Sequence, residues 1–79
     1  MKVAVTSLVR AQAEKTFSPA DAEVACAELA AVDLPLISNN GERVHLAILH
    51  LASGDLAEFR RHLAIARTDW RDVLAATGF

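Results

Sequence analysis

Acid and histidine pairs are the side chains of this chain whose spacing best suits metal binding. Glu42 and His45 have the i, i+3 spacing that helical bundles use to hold two metal ions, and His62 follows Glu58 by four residues. A dinuclear site needs two Glu-x-x-His pairs and two further glutamates, whereas the chain has one such pair. Because Glu42 is also expected at a helix start near solvent, the sequence predicts neither a metal site nor a cofactor.

The histidines of the third hydrophobic segment are predicted to be structural. His45 and His50 are five residues apart, so on a helix they point about 140° away from each other and cannot share one metal ion. Both fall on the seams between two apolar helix faces. We therefore expect them to be hydrogen-bonded or partly exposed.

Nucleophilic catalysis has little support in the sequence. Cys26 stands among alanines with no nearby basic residue to lower its pKa, which is typical of an inert core thiol. The serines suit caps and turns, and the glycines, at positions 41, 54 and 78, stand at predicted helix ends and form no phosphate-binding loop. The sequence predicts that the protein is not an enzyme.

One basic cluster raises the possibility of nucleic-acid binding. A Gly-containing turn precedes an arginine-bearing helix, as in helix-turn-helix proteins, and the cluster consists of Arg60, Arg61, His62, Arg67 and Arg71. Acidic residues are interleaved with it: Asp55, Glu58, Asp69 and Asp72. Its outward face also lacks the Asn, Gln and Ser residues that contact base edges. A small nucleic-acid-binding regulator that uses the four arginines is therefore the alternative and not the leading interpretation.

The segment Asp69-Trp70-Arg71-Asp72 is the most distinctive on the chain. As a binding edge it would use Trp70 and Arg71, because tryptophan and arginine are favoured anchors of interfaces. As a structural element it would have Thr68 as the helix cap, Trp70 in the core and Arg71 paired with a nearby carboxylate. The structural interpretation is the simpler one.

The C-terminal part of the chain carries a resemblance. The run Leu-His-Leu-Ala-Ser-Gly-Asp-Leu over residues 49–56, the segment over residues 66–74 and the Gly78-Phe79 end cover roughly the last 35 residues. These features resemble a group of short uncharacterised bacterial helical proteins that share a Gly-Asp helical corner and an Asp-Trp-Arg-Asp motif. The resemblance implies a bacterial, cytoplasmic protein and brings no activity with it.

Length and composition limit the protein to one small domain, residues 1–79. Apolar residues make up 53% of the chain, but 16 of them are alanines, and a small domain with few large core residues often gains stability by dimerising. The net charge of −2 gives no general attraction to nucleic acid or anionic lipid. A single cysteine, and no run of roughly 20 uncharged apolar residues, predict a cytoplasmic protein that does not enter a membrane.

The fold class follows from helix-favouring composition and from helix-start residues. We predict an all-α compact bundle of about five short helices, over about residues 5–15, 18–32, 41–53, 55–67 and 68–77. The predicted N-caps are Ser18, Asn39, Asp55 and Thr68. Between residues 44 and 52 only two histidines are polar, so the third helix is predicted to be the central one.

The third helix has more apolar surface than one buried face requires. Leu46 and Leu49 lie opposite its main apolar face, and Ile65 falls on the charged side of the fourth helix. Either the other helices cover the third from both sides, or part of this surface contacts a partner. The leading hypothesis is a small protein-interaction module that self-associates as a homodimer or other homo-oligomer, or binds another protein. Its candidate contacts are Leu46, Leu49, Ile65, Trp70 and Arg71.

Overall fold

Five α-helices make up most of the part of the chain that the structure describes, as the sequence predicts. The computed structural model describes residues 1–35 and 40–78, and within them the helices are α1 (Ser7–Thr16), α2 (Pro19–Ala31), α3 (Gly41–Ala52), α4 (Leu56–Thr68) and α5 (Trp70–Thr77). An isolated antiparallel bridge between Lys2 and Asp33 ties the N-terminal segment to the residues that follow α2. The described residues therefore have the predicted all-α class, with no strand among them.

Side-chain caps set where four of the described helices begin, and three of these are the caps of α1, α2 and α4. Ser18 accepts from the amide of Asp21 at 3.3 Å with Pro19 in the first turn, and Asp55 accepts from the amides of Ala57 and Glu58 at 2.9 and 3.3 Å. Both caps confirm the prediction. The first helix starts at Ser7, two residues later than predicted, because the Thr6 hydroxyl accepts from the amide of Val9 and caps it.

The start of α3 lies next to residues outside the described ranges. Leu36, between the predicted second and third helices, and the predicted cap Asn39 both lie outside them. Asn40 precedes the first helical residue, and its side-chain oxygen accepts from Arg43 instead of capping a backbone amide. Gly41 lies so close to the N-terminal segment that a β-carbon there would stand 2.5 Å from a methyl group of Val3.

A single residue joins α4 to α5. Thr68, predicted to cap the last helix, is instead the last residue of α4. The cap is Asp69, whose carboxylate accepts from the amide of Arg71 at 3.1 Å and whose own amide donates to the Ile65 carbonyl at 2.8 Å. The predicted cap is wrong by one residue because α4 continues to Thr68, one residue beyond its predicted end at residue 67.

This correction is testable with a pair of alanine variants. Asp69→Ala is expected to lower the free energy of unfolding by about 1 kcal/mol, because it removes the cap of α5. Thr68→Ala is expected to change it by less than about 0.5 kcal/mol, because Thr68 is an exposed residue at the end of a helix. Urea unfolding followed by circular dichroism measures both. Equal losses in the two variants would contradict the assignment of Asp69 as the cap.

The corner between α3 and α4 takes two consecutive residues with positive φ. Ser53 has φ 49° and Gly54 has φ 82°, so the left-handed turn begins one residue before the glycine that the sequence indicated. Gly54 also lies against the end of α1, since a β-carbon there would stand 2.4 Å from the Thr16 carbonyl oxygen. Gly78, with φ 75°, ends α5 as predicted, and Phe79 lies outside the described residues.

The third helix is the centre of the bundle. It contacts α1, α4 and α5, while α2 packs on α1 and α4. The largest fully buried side chains are Phe59, Leu29, Leu34, Ile48 and Leu49. The rings of Phe17 and Phe59 meet edge to face, with centroids 6.0 Å apart. Within the described residues, no helix has the length and apolar character needed to cross a bilayer.

Candidate interaction surface

The two leucines of α3 that are predicted to contact a partner differ in how deeply they are buried. Leu49 is 0% exposed, so it is a residue of the chain's own core and presents no surface to a partner. Leu46 is partly buried and packs against the same core. Both apolar faces of α3 are needed inside the bundle because three other helices contact it. Of the two alternatives that the sequence left open, coverage by the chain's own helices accounts for most of this surface.

Trp70 and Arg71 make contacts within the chain itself. The indole Nε1 of Trp70 donates to the carbonyl oxygen of Pro35 at 3.1 Å, which joins the start of α5 to the segment after α2. The guanidinium of Arg71 lies over the Trp70 ring, 5.4 Å from its centroid. Arg71 thus makes a cation–π contact, where the sequence predicted an ion pair. Trp70 remains partly exposed, so the ring is only in part a core residue.

Ile65 lies in an open groove between α4 and α5. The groove has a volume of about 400 Å³ and is lined by Ala64, Ile65, Thr68, Asp69 and Asp72. Its apolar lining, which we call the floor, is Ala64 and Ile65, and Ile65 is partly buried against the core. Its acidic lining, which we call the rim, is the exposed pair Asp69 and Asp72. The sequence singled out Ile65 but not the aspartates. Asp69 and Asp72 follow Ile65 by four and seven residues, but α4 ends at Thr68, before both aspartates. A helical wheel of α4 therefore does not include them.

The four arginines of the basic cluster lie in different environments. Arg60 binds the Glu28 carboxylate of α2 with two nitrogens, the shorter distance being 2.9 Å, and this bond raises the pKa of Arg60. Arg61 donates to Glu58 at 2.6 Å and thereby lowers the pKa of that carboxyl. Arg67 lines a second groove, about 370 Å³, between α2 and α4, together with Glu28 and Asp33. Acids bind Arg60 and Arg61, acids share the groove that Arg67 lines, and Trp70 lies under Arg71, so the cluster does not form a uniform basic face.

The predicted histidine environment is wrong for His45. Its side chain is 0% exposed, and neither ring nitrogen has a hydrogen-bond partner among the described residues. Burial lowers the pKa of His45, and the nearby charge of Glu42 opposes that shift in part. Glu42 itself is partly buried and accepts from the Thr6 hydroxyl at 2.5 Å, which links the first turn of α3 to the cap of α1.

Cys26 is a core residue, as predicted. The residue is 2% exposed, and burial is the main cause of its raised pKa. Arg10 partly opposes that rise, so the prediction that no basic residue acts on the thiol is wrong. A raised pKa leaves little thiolate at neutral pH. In the part of the chain that the structure describes, no three metal-binding side chains come together.

Comparison of the chain with models of protein families, with curated proteins and with solved structures found no match to any of them.

Proposed function

We propose that this domain is a protein-interaction module that pairs with a second copy of itself through the α4–α5 groove. The observation that carries the proposal is Ile65, an apolar side chain on the charged side of α4 that lies in an open groove with acidic residues on its rim. Isolated apolar residues on a surface are common, but an apolar floor bordered by charges is typical of a docking surface.

Symmetry and charge favour a second copy as the occupant. Arg61 and Asp69 are each four residues from Ile65, on opposite sides of it along the chain. If two α4 helices pack antiparallel about a two-fold axis at Ile65, Arg61 of one copy faces Asp69 of the other, and the contact is made twice. The existing bond of Arg61 to Glu58 is exposed, so exchanging it for Asp69 costs little.

The outer face of α4 allows a close approach. Ala57, Ala64 and Thr68 are small, exposed and lie on the same side of the helix as Arg61. A stable interface covers about 800 Å² of each partner, close to a fifth of the 4406 Å² that the chain exposes. The contact must therefore extend from the groove along this face, and it supplies burial that a 79-residue core lacks.

Replacing Ile65 by aspartate is expected to convert the dimer to a monomer, because it places a third carboxylate in the groove and removes its apolar centre. Light scattering after gel filtration, at tens to hundreds of micromolar protein, gives the mass: near twice 8.5 kDa for the natural chain and 8.5 kDa for the variant. Leu8→Asp is the matched control, since Leu8 is 57% exposed on α1 and lies outside the groove. A monomeric natural chain, or dissociation by both variants alike, contradicts the proposal.

A double-mutant cycle tests the orientation. Arg61→Gln and Asp69→Asn are each expected to weaken the dimer severalfold, and the double variant should be no weaker than either single one. Asparagine keeps the cap of α5, so Asp69→Asn leaves the monomer folded. If the two substitutions weaken the dimer independently and additively, Arg61 does not pair with Asp69. That result would not bear on dimerisation through the groove, which the Ile65→Asp variant tests.

We also propose a bacterial cytoplasmic setting for the domain. The support is its single buried thiol at Cys26, which suits a reducing compartment, and the resemblance of the last 35 residues or so to short bacterial helical proteins.

A further inference from the structure

Among the described residues, His45 is the polar side chain that is buried in the core. It lies on the central helix with 0% exposure, and neither Nδ1 nor Nε2 has a hydrogen-bond partner among the described residues. A neutral imidazole always carries one N–H donor and one acceptor nitrogen, and leaving such groups buried and unpaired is costly. A charged imidazolium at the same place would be costlier still.

The surroundings of His45 offer little to hold a positive charge. Its helix contacts α1, α4 and α5, whose buried residues are all apolar. The ionisable side chains of those helices are exposed or partly exposed: Arg10, Glu14, Lys15, Glu58, Arg60, Arg61, His62, Arg67, Arg71 and Asp72. On α3 itself Arg43 and His50 are exposed, and Glu42 is the neighbour whose charge acts on the ring.

Glu42 has a second role that connects His45 to another helix. It stands three residues before His45, on the same side of α3, and accepts from Thr6, whose hydroxyl oxygen in turn accepts from the amide of Val9. The carboxylate therefore holds the start of α1 against the start of α3. A protonated His45 would compete with Thr6 for this carboxylate.

We propose that His45 is an acid-sensitive switch: protonation of its buried ring draws it toward Glu42 and opens the contact between α1 and α3. The proposal is independent of self-association, since His45 lies in the core and not in the α4–α5 groove. At neutral pH the ring is neutral and the contact closed.

The sign of the pH dependence follows from the lowered pKa of His45 in the folded chain. In the unfolded chain a histidine has a pKa of about 6.5. Between the unfolded pKa and the lower pKa of the folded chain, the unfolded chain binds more protons than the folded one. The contribution of neutral His45 to stability is therefore fully present above about pH 6.5 and is lost as the pH falls. The unfolding constant is expected to rise up to about tenfold per pH unit through this window.

Urea unfolding of the whole chain between pH 7.5 and pH 5.0 tests the switch. The natural chain and the control His50→Gln, which removes an exposed histidine from the same helix, are expected to show the steep rise in the unfolding constant. His45→Leu is expected to lose most of it. Equal slopes in His45→Leu and the natural chain would overturn the proposal.

Nuclear magnetic resonance of the natural chain tests the same proposal without any substitution. The carbon-bound ring protons of His45 are expected to titrate below the pH of about 6.5 that is ordinary for a histidine, because burial lowers the pKa of the ring. The Val9 amide, which reports the start of α1, should shift only when the ring titrates. A His45 ring that titrates near pH 6.5 in the folded chain overturns the proposal. So does a Val9 amide that is unmoved as the ring becomes protonated.

Discussion

Replacing Phe59 by alanine is expected to lower the free energy of unfolding by about 3–5 kcal/mol. Phe59 is fully buried in α4 and meets the ring of Phe17, at the end of α1, edge to face with an interplanar angle of 87°. The variant loses the burial of the ring and leaves a cavity between two helices. A core of this size rarely contributes more than about 3–5 kcal/mol of net stability. We therefore expect the variant to be largely unfolded at 25 °C.

Circular dichroism during urea titration measures this loss, and two controls define its origin. Phe59→Leu keeps most of the apolar volume and is expected to lose markedly less than the alanine variant. Leu8→Ala removes the same kind of group from an exposed position and is expected to change stability by less than about 0.5 kcal/mol. A Phe59→Ala variant that loses less than about 1 kcal/mol would place Phe59 outside the core.

Replacing Gly54 by alanine is expected to destabilise the domain by about 3 kcal/mol, from two separate causes. The residue has φ 82°, in the left-handed region that costs a side chain roughly 1–2 kcal/mol. The added β-carbon would also lie 2.4 Å from the backbone carbonyl oxygen of Thr16, which forces the end of α1 away from the corner. Thermal unfolding and urea unfolding both report the loss.

Gly78→Ala separates these two causes. Gly78 has a similar φ of 75°, but a β-carbon there meets no atom of the described structure within 4 Å. Its alanine variant should therefore lose only the backbone share, about 1 kcal/mol. The difference between the two variants measures how closely α1 approaches the α3–α4 corner. Equal losses would mean that this approach contributes nothing.

Features that depend on neighbouring residues in the sequence were predictable. Ser18 and Asp55 cap their helices as expected, because a capping side chain reaches only the amides two or three residues ahead. Where two signals stood side by side the prediction failed: Thr68 and Asp69 are both good caps, and the choice depends on where α4 ends. Thr6 was missed because the predicted helix already included it.

Features that depend on the packing of distant segments were not predictable. A helical wheel gives the direction of Leu49 and His45 but not what lies there. In the fold both are fully buried, on a helix that contacts α1, α4 and α5. The groove at Ile65 forms where α4 meets α5, and no local sequence pattern specifies how two helices meet. The sequence found Ile65 as an exception on a polar face, and that exception was the usable signal.

The junction at Asp69 makes the fold sensitive to insertions and deletions between α4 and α5. Because one residue both closes α4 and caps α5, the chain between these helices has no slack. Inserting or deleting one residue there would rotate every side chain of α5 by about 100° about its axis. Val73 would then leave the core, and Asp72 would leave the rim of the groove. Natural variants of this protein should therefore tolerate substitutions near this junction far more readily than changes in length.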